Sequence, residues 1–412
     1  MNILMLSLNT FPYPASRGAA EGRTLNLIKY LHQRQHQVTL VTHRHRAVTD
    51  EDVAALKEWV AHLEILPAPT NPEPAANLMG KAAQISRLAR FALTATPPSV
   101  RHRFSPVVQA WVEQFVAAGK CDVVVCEHSV NEIYIRPEFR QRVRTVVDIH
   151  SSVYGWILNH LQMGASENPG RDRFYLPLLA RYEKRYCRKF SQLIATTKDD
   201  RQQLLDLVPD AEIEIVSNGV DLDTFPYRPG DPGGQRLIFI GAMDSSHNID
   251  GATYFAREVF PLVQQRYPQA TLSLVGARPV AEVKALDGLP GVTVTGRVPS
   301  ITDYLHQSTL CVVPLRVGLG IKTKTLESMA SGIPIVASDR GLEGLTVDEA
   351  GIPLRALRAN TPQAFVDTIG RLFERPELRT ELSRNARAMI EADYTWERAG
   401  EKYERVLAAP NR

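Results

Sequence analysis

The sequence predicts an α/β protein made of two Rossmann-like domains, and three observations carry that reading. Short apolar runs rich in β-branched residues alternate with helix-length segments from one end of the chain to the other. The runs lack polar alternation, which suits parallel strands covered by helices on both faces. The pattern also restarts near the middle of a chain of 412 residues, about two to three times the length of an ordinary domain.

The first half offers strands at 2–7, 38–41, 123–126, 146–149, 193–196 and 214–216, and the second at 237–240, 271–275, 292–295, 310–313 and 335–337. Helical patterns fill 22–34, 106–118, 199–207 and 250–266. Between the halves, 225–235 (FPYRPGDPGGQ) holds three prolines and three glycines and reads as a linker. Open α/β sheets bind ligands beyond the carboxyl ends of their strands, so two facing domains should hold their chemistry there.

Composition removes several function classes. With 44% hydrophobic and 23% charged residues the chain is neither disordered nor fibrous. Its 48 basic and 45 acidic side chains leave a net charge of +3, too balanced for a general nucleic-acid binder. No apolar run approaches the ~20 residues of a membrane span. The opening MNILMLSLNT has no basic start and no small-residue cleavage site, so it reads as a buried strand rather than a signal peptide. Cys121, Cys126, Cys187 and Cys311 are scattered without a CxxC pair. Neither a zinc site nor a disulfide framework is expected, and a cytoplasmic compartment is the simplest.

One segment breaks the alternation. Residues 78–103 carry Lys81, Arg87, Arg90, Arg101 and Arg103 with no acidic residue, interleaved with Leu78, Ile85, Leu88 and Phe91 near helical spacing. A basic amphipathic helix of this kind suits an anionic membrane surface or an anionic acceptor.

Two loops look built for anions. After the first strand, Gly18 and Gly22 precede a helix with Arg23 in its first turn, and a helix N-terminus attracts negative charge. The dinucleotide fingerprint GxGxxG is missing, which excludes a nicotinamide or flavin dehydrogenase. The second loop lies in 312–338 (VVPLRVGLGIKTKTLESMASGIPIVAS). There Arg316, Gly318, Gly320, Lys322 and Lys324 lead into a helix with Thr325 and Glu327. Such a loop presents cations and free N–H groups to a diphosphate, and a carboxylate one turn inside can grip a diol such as ribose. The phosphate-loop ATPase pattern fails, because Ile321 rather than lysine follows Gly320.

At this point the residues resemble a known family. LESMASGIPIVAS resembles the donor-nucleotide signature of retaining GT-B glycosyltransferases of the family-4 type, also called group 1. Ser217-Asn-Gly-Val-Asp221 with Phe225 is similar to the family's interdomain element. FIGAMDSSHNIDGATYF resembles the start of the donor domain, VTGRVP the loop that meets the base, and Tyr394-Thr-Trp396 the start of a last helix. The resemblance implies a GT-B fold with an acceptor-binding domain over 1–220, joined by a C-terminal helix at about 393–412 that returns to it, and a donor-binding domain over 221–392. Tyr182-Glu183 resembles a helix motif of the family and is expected to be structural.

It also implies roles. The donor side would comprise Arg316, Gly318, Gly320, Lys322, Lys324, Thr325 and Glu327, with Gly241 after the first donor-domain strand and Arg297 and Val298 at the base. The family's first glutamate falls on Leu319, and its usual Arg and Lys after that strand are missing, with only His247 there. Glu127 stands where members place a catalytic histidine, with His128 next to it, and both are candidates for catalysis. Gly18, Gly22, Arg23, Asp148 and His150 would serve the acceptor. No cofactor and no metal are expected, since helix dipole and basic side chains meet the diphosphate charge. Asp221-Leu-Asp223 spells a metal-binding DxD, but its place in the interdomain element argues against that use.

The expected function is transfer of a sugar from a UDP- or GDP-sugar, with retention, to a saccharide or lipid-linked acceptor in cell-surface polysaccharide or glycoconjugate synthesis. The setting would be cytoplasmic, at the inner membrane face through 78–103, with no nucleic acid. A nucleotide-sugar epimerase of the same fold and a catalytically silent donor-binding subunit stay open as alternatives.

Overall fold

The computed structural model describes residues 1–13, 18–69, 89–150, 152–164, 166–318 and 320–410. The chain divides into two compact units, Met1–Ser217 with Ala399–Arg412, and Asn218–Arg398. Each is built on one wholly parallel sheet.

The first unit holds β1 (Asn2–Ser7), β2 (Gln37–Thr42), β3 (His62–Ile65), β4 (Val123–Glu127), β5 (Arg144–Ile149), β6 (Gln192–Ala195) and β7 (Ile213–Ile215). Their order is β3-β2-β1-β4-β5-β6-β7. β4 and β5 are buried along their whole length, as unbroken apolar runs between helical layers should be. The order reverses between β1 and β4, so the loops leaving those strands part and open a crevice at their carboxyl ends.

The second unit repeats the plan with β8 (Arg236–Ile240), β9 (Thr271–Val275), β10 (Val292–Gly296), β11 (Leu310–Val313), β12 (Ile335–Ala337) and β13 (Leu357–Arg358), ordered β10-β9-β8-β11-β12-β13. Here the reversal falls between β8 and β11.

Local chemistry sets the helices. Pro106–Ala117 starts on a proline, whose missing N–H costs nothing at a first turn. Lys198–Leu207 is capped by the Thr197 hydroxyl, which accepts from the Asp200 N–H. Ala19–Gln33 begins three residues before the apolar pattern predicts, because the Gly22 N–H bonds the Gly18 carbonyl and Gly22 is helical rather than loop. β3 and β13 escape the apolar pattern, the first a half-exposed edge strand and the second only two residues long.

The proline-rich stretch 225–235 does not serve as a free linker. The units part earlier, between Ser217 and Asn218, and the stretch packs onto the second unit. Arg228 is buried, with its N–H on the Ser331 carbonyl and its guanidinium on that of Ser308, while the Tyr227 and Ser383 hydroxyls meet at 2.9 Å. Asp221 takes the Asp223 N–H and the Thr224 hydroxyl on its carboxylate, which explains the DxD spelling as a loop cap. Of the basic segment, 78–88, with Lys81 and Arg87, lie outside the described residues, as does Leu319. Residues 89–94 are helical, with Phe91 buried and Arg90 exposed.

The last helix, Trp396–Ala408, returns to the first unit from Ala399 onward. Gly400 presses on the ring of Tyr30, and Glu404 takes hydrogen bonds from the Tyr30 hydroxyl at 3.1 Å and His36 Nε2 at 2.8 Å. Arg144 closes the end by donating to the carbonyls of Val406 and Pro410. A Cβ at position 400 would run into the Tyr30 ring. Gly400→Ala is therefore expected to destabilise the first unit by about 1–3 kcal/mol, read as a lowered urea midpoint, while the second unit's transition stays in place.

Candidate functional site

Each unit gathers its polar side chains at the carboxyl edge of its sheet, where the strand order reverses. In the first unit, Glu127 ends β4, Asp148 lies in β5 and His150 follows it, while Arg23 and Thr24 come from the helix after β1. Arg23 forks onto Asp148, with Nε 2.9 Å from Oδ2 and Nη2 3.1 Å from Oδ1. The Thr24 hydroxyl donates to Glu127 Oε2 at 2.9 Å, and the Tyr403 hydroxyl donates to Oε1 at 2.7 Å. His150 Nε2 stands 3.4 Å from Glu127 Oε2 and 3.9 Å from Asp148 Oδ2.

This arrangement changes the parts these residues can play. Arg23, Glu127 and Asp148 are each no more than 1% exposed. Arg23 is spent on Asp148 rather than open to a ligand, and Glu127 has both oxygens on protein donors, which makes it scaffold rather than an accessible base. Burial works to raise the Glu127 carboxyl, but His150, Tyr403 and Arg23 outweigh it and hold it below the usual range. Asp148 is raised, because burial prevails over the pull of Arg23. Ligand-type atoms of Glu127, Asp148 and His150 lie within 4.8 Å of one another, yet a cation there would have to displace the guanidinium. Gly18 stands at the N-cap of helix Ala19–Gln33, and Gly22 lies inside it rather than in the loop before it.

His128 and His150 are the members left at the rim, their rings 5.4 Å apart. Burial drives His128 down to about 4. Tyr182-Glu183 is structural: Glu183 takes the Ser152 hydroxyl at 2.7 Å and the Tyr154 N–H at 3.0 Å, holding the start of helix Val153–Gln162.

The second unit is built differently. Lys322 and Lys324 stand at the start of helix Thr323–Ala330, beside the loop that leaves β8. Both are buried. Lys322 pairs with Glu343 at 3.0 Å, and Glu343 also takes Arg340. Lys324 Nζ donates to Asn248 Oδ1, an uncharged oxygen that is aimed by its own amide's bond to the Ala242 carbonyl at 2.8 Å. The ammonium also lies 4.7 Å from the centre of the Phe239 ring. Burial lowers its pKa to about 7, with Lys322 adding to the effect. His247 shares this field: burial and the two lysines push it down to about 4.

Close packing needs the glycines. A Cβ on Gly241 would lie 2.8 Å from Asn248 Nδ2 and 2.9 Å from Lys324 Nζ, and one on Gly276 would strike the Gly241 carbonyl. Gly318, at φ +106°, crosses beside His247 and Lys322. Glu327 sits one turn into the helix, half-buried, with no hydrogen-bond donor on its carboxylate among the described residues; burial raises it to about 7.

Four other residues expected on the donor side have their own partners or places in the fold. Arg316 forks onto Asp250 and rests 4.6 Å from the Tyr254 ring, so its charge is met outside the cradle. Thr325 is buried and donates to the Gly341 carbonyl. Val298 is buried and Arg297 exposed after β10, at the other side of β9. His247 and Asn248, unassigned from the sequence, take the place expected of Arg316. Their position directly after a buried strand was the available signal.

Two family models match the chain, one described as Glycosyltransferase Family 4 over residues 20–224 and one as Glycosyl transferases group 1 over 234–375. The protein belongs to the group 1 glycosyltransferases. A D-inositol 3-phosphate glycosyltransferase of Frankia alni is 30% identical over 224 residues, 48% of this chain and 53% of that relative, so the match spans about half the relative's length. The group 1 fold is GT-B, and solved structures agree across the whole chain. A sucrose-phosphate synthase of Thermosynechococcus elongatus superposes with a TM-score of 0.69 at 17% identity, covering 98% of both chains. HepE of Anabaena, in complex with UDP and glucose, gives 0.65 at 16%, covering 99% of both. No helix among the described residues of this group 1 chain is long and apolar enough to cross a membrane.

Tyr403 supplies one of the bonds that keep Glu127 ionised in the folded protein. Such a carboxylate stabilises the fold above its unfolded pKa, about 4.5, and loses that effect as pH falls through its lower folded value. Tyr403→Phe is thus expected to cost about 1–3 kcal/mol at pH 7. The gap to wild type should narrow in urea titrations taken below pH 4.5.

Proposed function

We propose that this chain transfers a sugar from a nucleoside diphosphate sugar, with retention at the anomeric carbon, and that the second unit holds the donor. One observation carries the reading: Lys324 is an ammonium buried against a neutral amide, with Lys322, His247 and a helix start around it. A buried cation without a full counter-charge is poorly stabilised until an anion arrives. A diphosphate is the anion that suits it, because it can meet both lysines and the unpaired N–H groups of the first helical turn together. HepE, of the same fold, was solved with UDP and glucose, which supports a nucleotide donor here.

In this reading Lys322 and Lys324 hold the leaving diphosphate and offset the charge that grows on it as the glycosidic bond breaks. Glu327, unclaimed by a protein donor, accepts the ribose hydroxyls. The glycines at 241 and 318 let backbone approach the phosphates. On the first unit, the Arg23–Asp148 and Tyr403–Glu127 bonds fix the frame that presents His128 and His150 to the acceptor.

Calorimetric titration with UDP and GDP tests this. Binding an anion beside Lys324 must raise its pKa above about 7, so a proton is taken up above that pH. Affinity should be full below pH 7 and fall by up to about tenfold per unit as pH rises beyond it. Lys324→Ala should weaken binding by about 10–100-fold and flatten that pH dependence, and Glu327→Ala should weaken it without flattening it. Unchanged affinity in both variants would remove the site.

A further inference from the structure

The loop after β12 packs against the helix that carries the two lysines, and it is fixed at several points. The Ser338 N–H bonds the Val313 carbonyl at 3.2 Å, the Thr325 hydroxyl donates to the Gly341 carbonyl at 2.8 Å, and Leu342 is buried. A Cβ on Gly341 would lie 2.5 Å from the Val313 carbonyl oxygen, so the loop backbone passes hard against the end of β11. Asp339, at the start of the loop, is held outward by Arg358 at 2.7 Å. Glu343, with a side chain only 10% exposed, is the carboxylate that this loop brings to the lysines.

Lys322 is the N-cap residue of helix Thr323–Ala330 and makes no side-chain capping bond to it. Its stem runs past Gly318, where a Cβ would lie 3.8 Å from Lys322 Cε and 3.7 Å from His247 Cβ. The ammonium donates to the Gly320 carbonyl and to Glu343 Oε2, the latter at 3.0 Å. The other carboxylate oxygen, Oε1, takes Arg340 Nη1 at 2.9 Å. The two cations are not equivalent. Arg340 belongs to the same loop, three residues from Glu343, and its planar fork favours the carboxylate it already holds. Lys322 is a point charge on a flexible four-carbon stem, free in principle to turn to another oxygen. Removing one partner of a buried ion pair strands the other charge. A carboxylate held by two cations escapes that penalty, because it can release one and keep the other.

We propose that Glu343 is a positioning residue for the donor site: it aims the Lys322 ammonium beside the helix start and yields it to the incoming diphosphate, while Arg340 keeps the carboxylate matched. This rests on the reading of the second unit as a nucleoside diphosphate site and adds the group that sets one of its two cations. Lys322 and Lys324 then have different parts. Lys324 sits fixed against an amide oxygen, and Lys322 is a cation lent from an ion pair.

Calorimetric titration of the full chain with UDP and GDP separates aim from charge. Glu343→Ala should weaken binding of the preferred nucleotide at least ~10-fold, because Lys322 loses its aim. Glu343→Gln keeps an oxygen that accepts from the ammonium, so it should bind within about threefold of wild type or more tightly. A carboxylate that merely opposed the phosphates would make both variants bind more tightly. The loss from Glu343→Ala should vanish in a Lys322→Ala background, since it runs through that lysine, whereas damage to the loop itself would persist there. Arg340→Gln should weaken binding in wild type and leave the Glu343→Gln variant unchanged, since its effect passes through the carboxylate. Undiminished binding by Glu343→Ala, equal losses in the alanine and glutamine variants, or a loss that persists in either background would overturn the assignment. Failure of both nucleotides to bind wild type would instead strike the donor reading, and this inference with it.

Discussion

Taking an ion out of water costs several kcal/mol unless a counter-charge and hydrogen bonds go with it, and this constraint organises both units. The first unit meets the cost internally. Arg23 is buried with Asp148 as a fork-to-fork pair, and Glu127 is wrapped by the hydroxyls of Thr24 and Tyr403. The second unit buries Lys324 and gives it only an amide oxygen and an aromatic face. The contrast is one of charge balance: the first unit's ions are saturated by protein partners, and Lys324 is left short of a counter-charge.

The saturated network also explains why the chain crosses back at its end. Tyr403 and Glu127 are 276 residues apart in sequence, yet their bond closes the innermost polar contact of the first unit. Around it, Glu404 ties Tyr30 and His36, and Arg144 ties the last turn. Each tie is polar and directional, so the returning helix is held in one register, where an apolar stripe alone would tolerate sliding. The carboxylate at the end of β4 is thereby completed by the last helix rather than by its own neighbours.

The fold was legible because buried parallel strands write themselves as unbroken apolar runs, and both sheets follow from that. The cradle was legible in part. Lys322, Lys324 and Glu327 follow a glycine loop in the sequence, and the structure puts Lys322 at the cap of helix Thr323–Ala330 and the other two inside it. Arg316 shows the limit: its charge belongs to Asp250, a partner 66 residues earlier that no local pattern reveals. His247 shows the converse, a residue that looks incidental until the fold sets it against two lysines. Arg23, Glu127 and Asp148 looked like free chemistry because strand-end carboxylates and first-turn arginines commonly face solvent. Arg23 reaches Asp148 across 125 residues and Thr24 reaches Glu127 across 103, so both pairings depend on tertiary structure alone.

The charges around the second unit's lysines follow the same economy. Within 314–330, Glu327 is the sole acidic residue, and Lys322 and Lys324 are the basic ones beyond Arg316. Glu343 already serves Lys322 and Arg340 together, so it has little left for Lys324. A buried ammonium whose partners are an amide oxygen and an aromatic face gains more from an approaching anion than one already neutralised, because its Coulomb energy is still unmet.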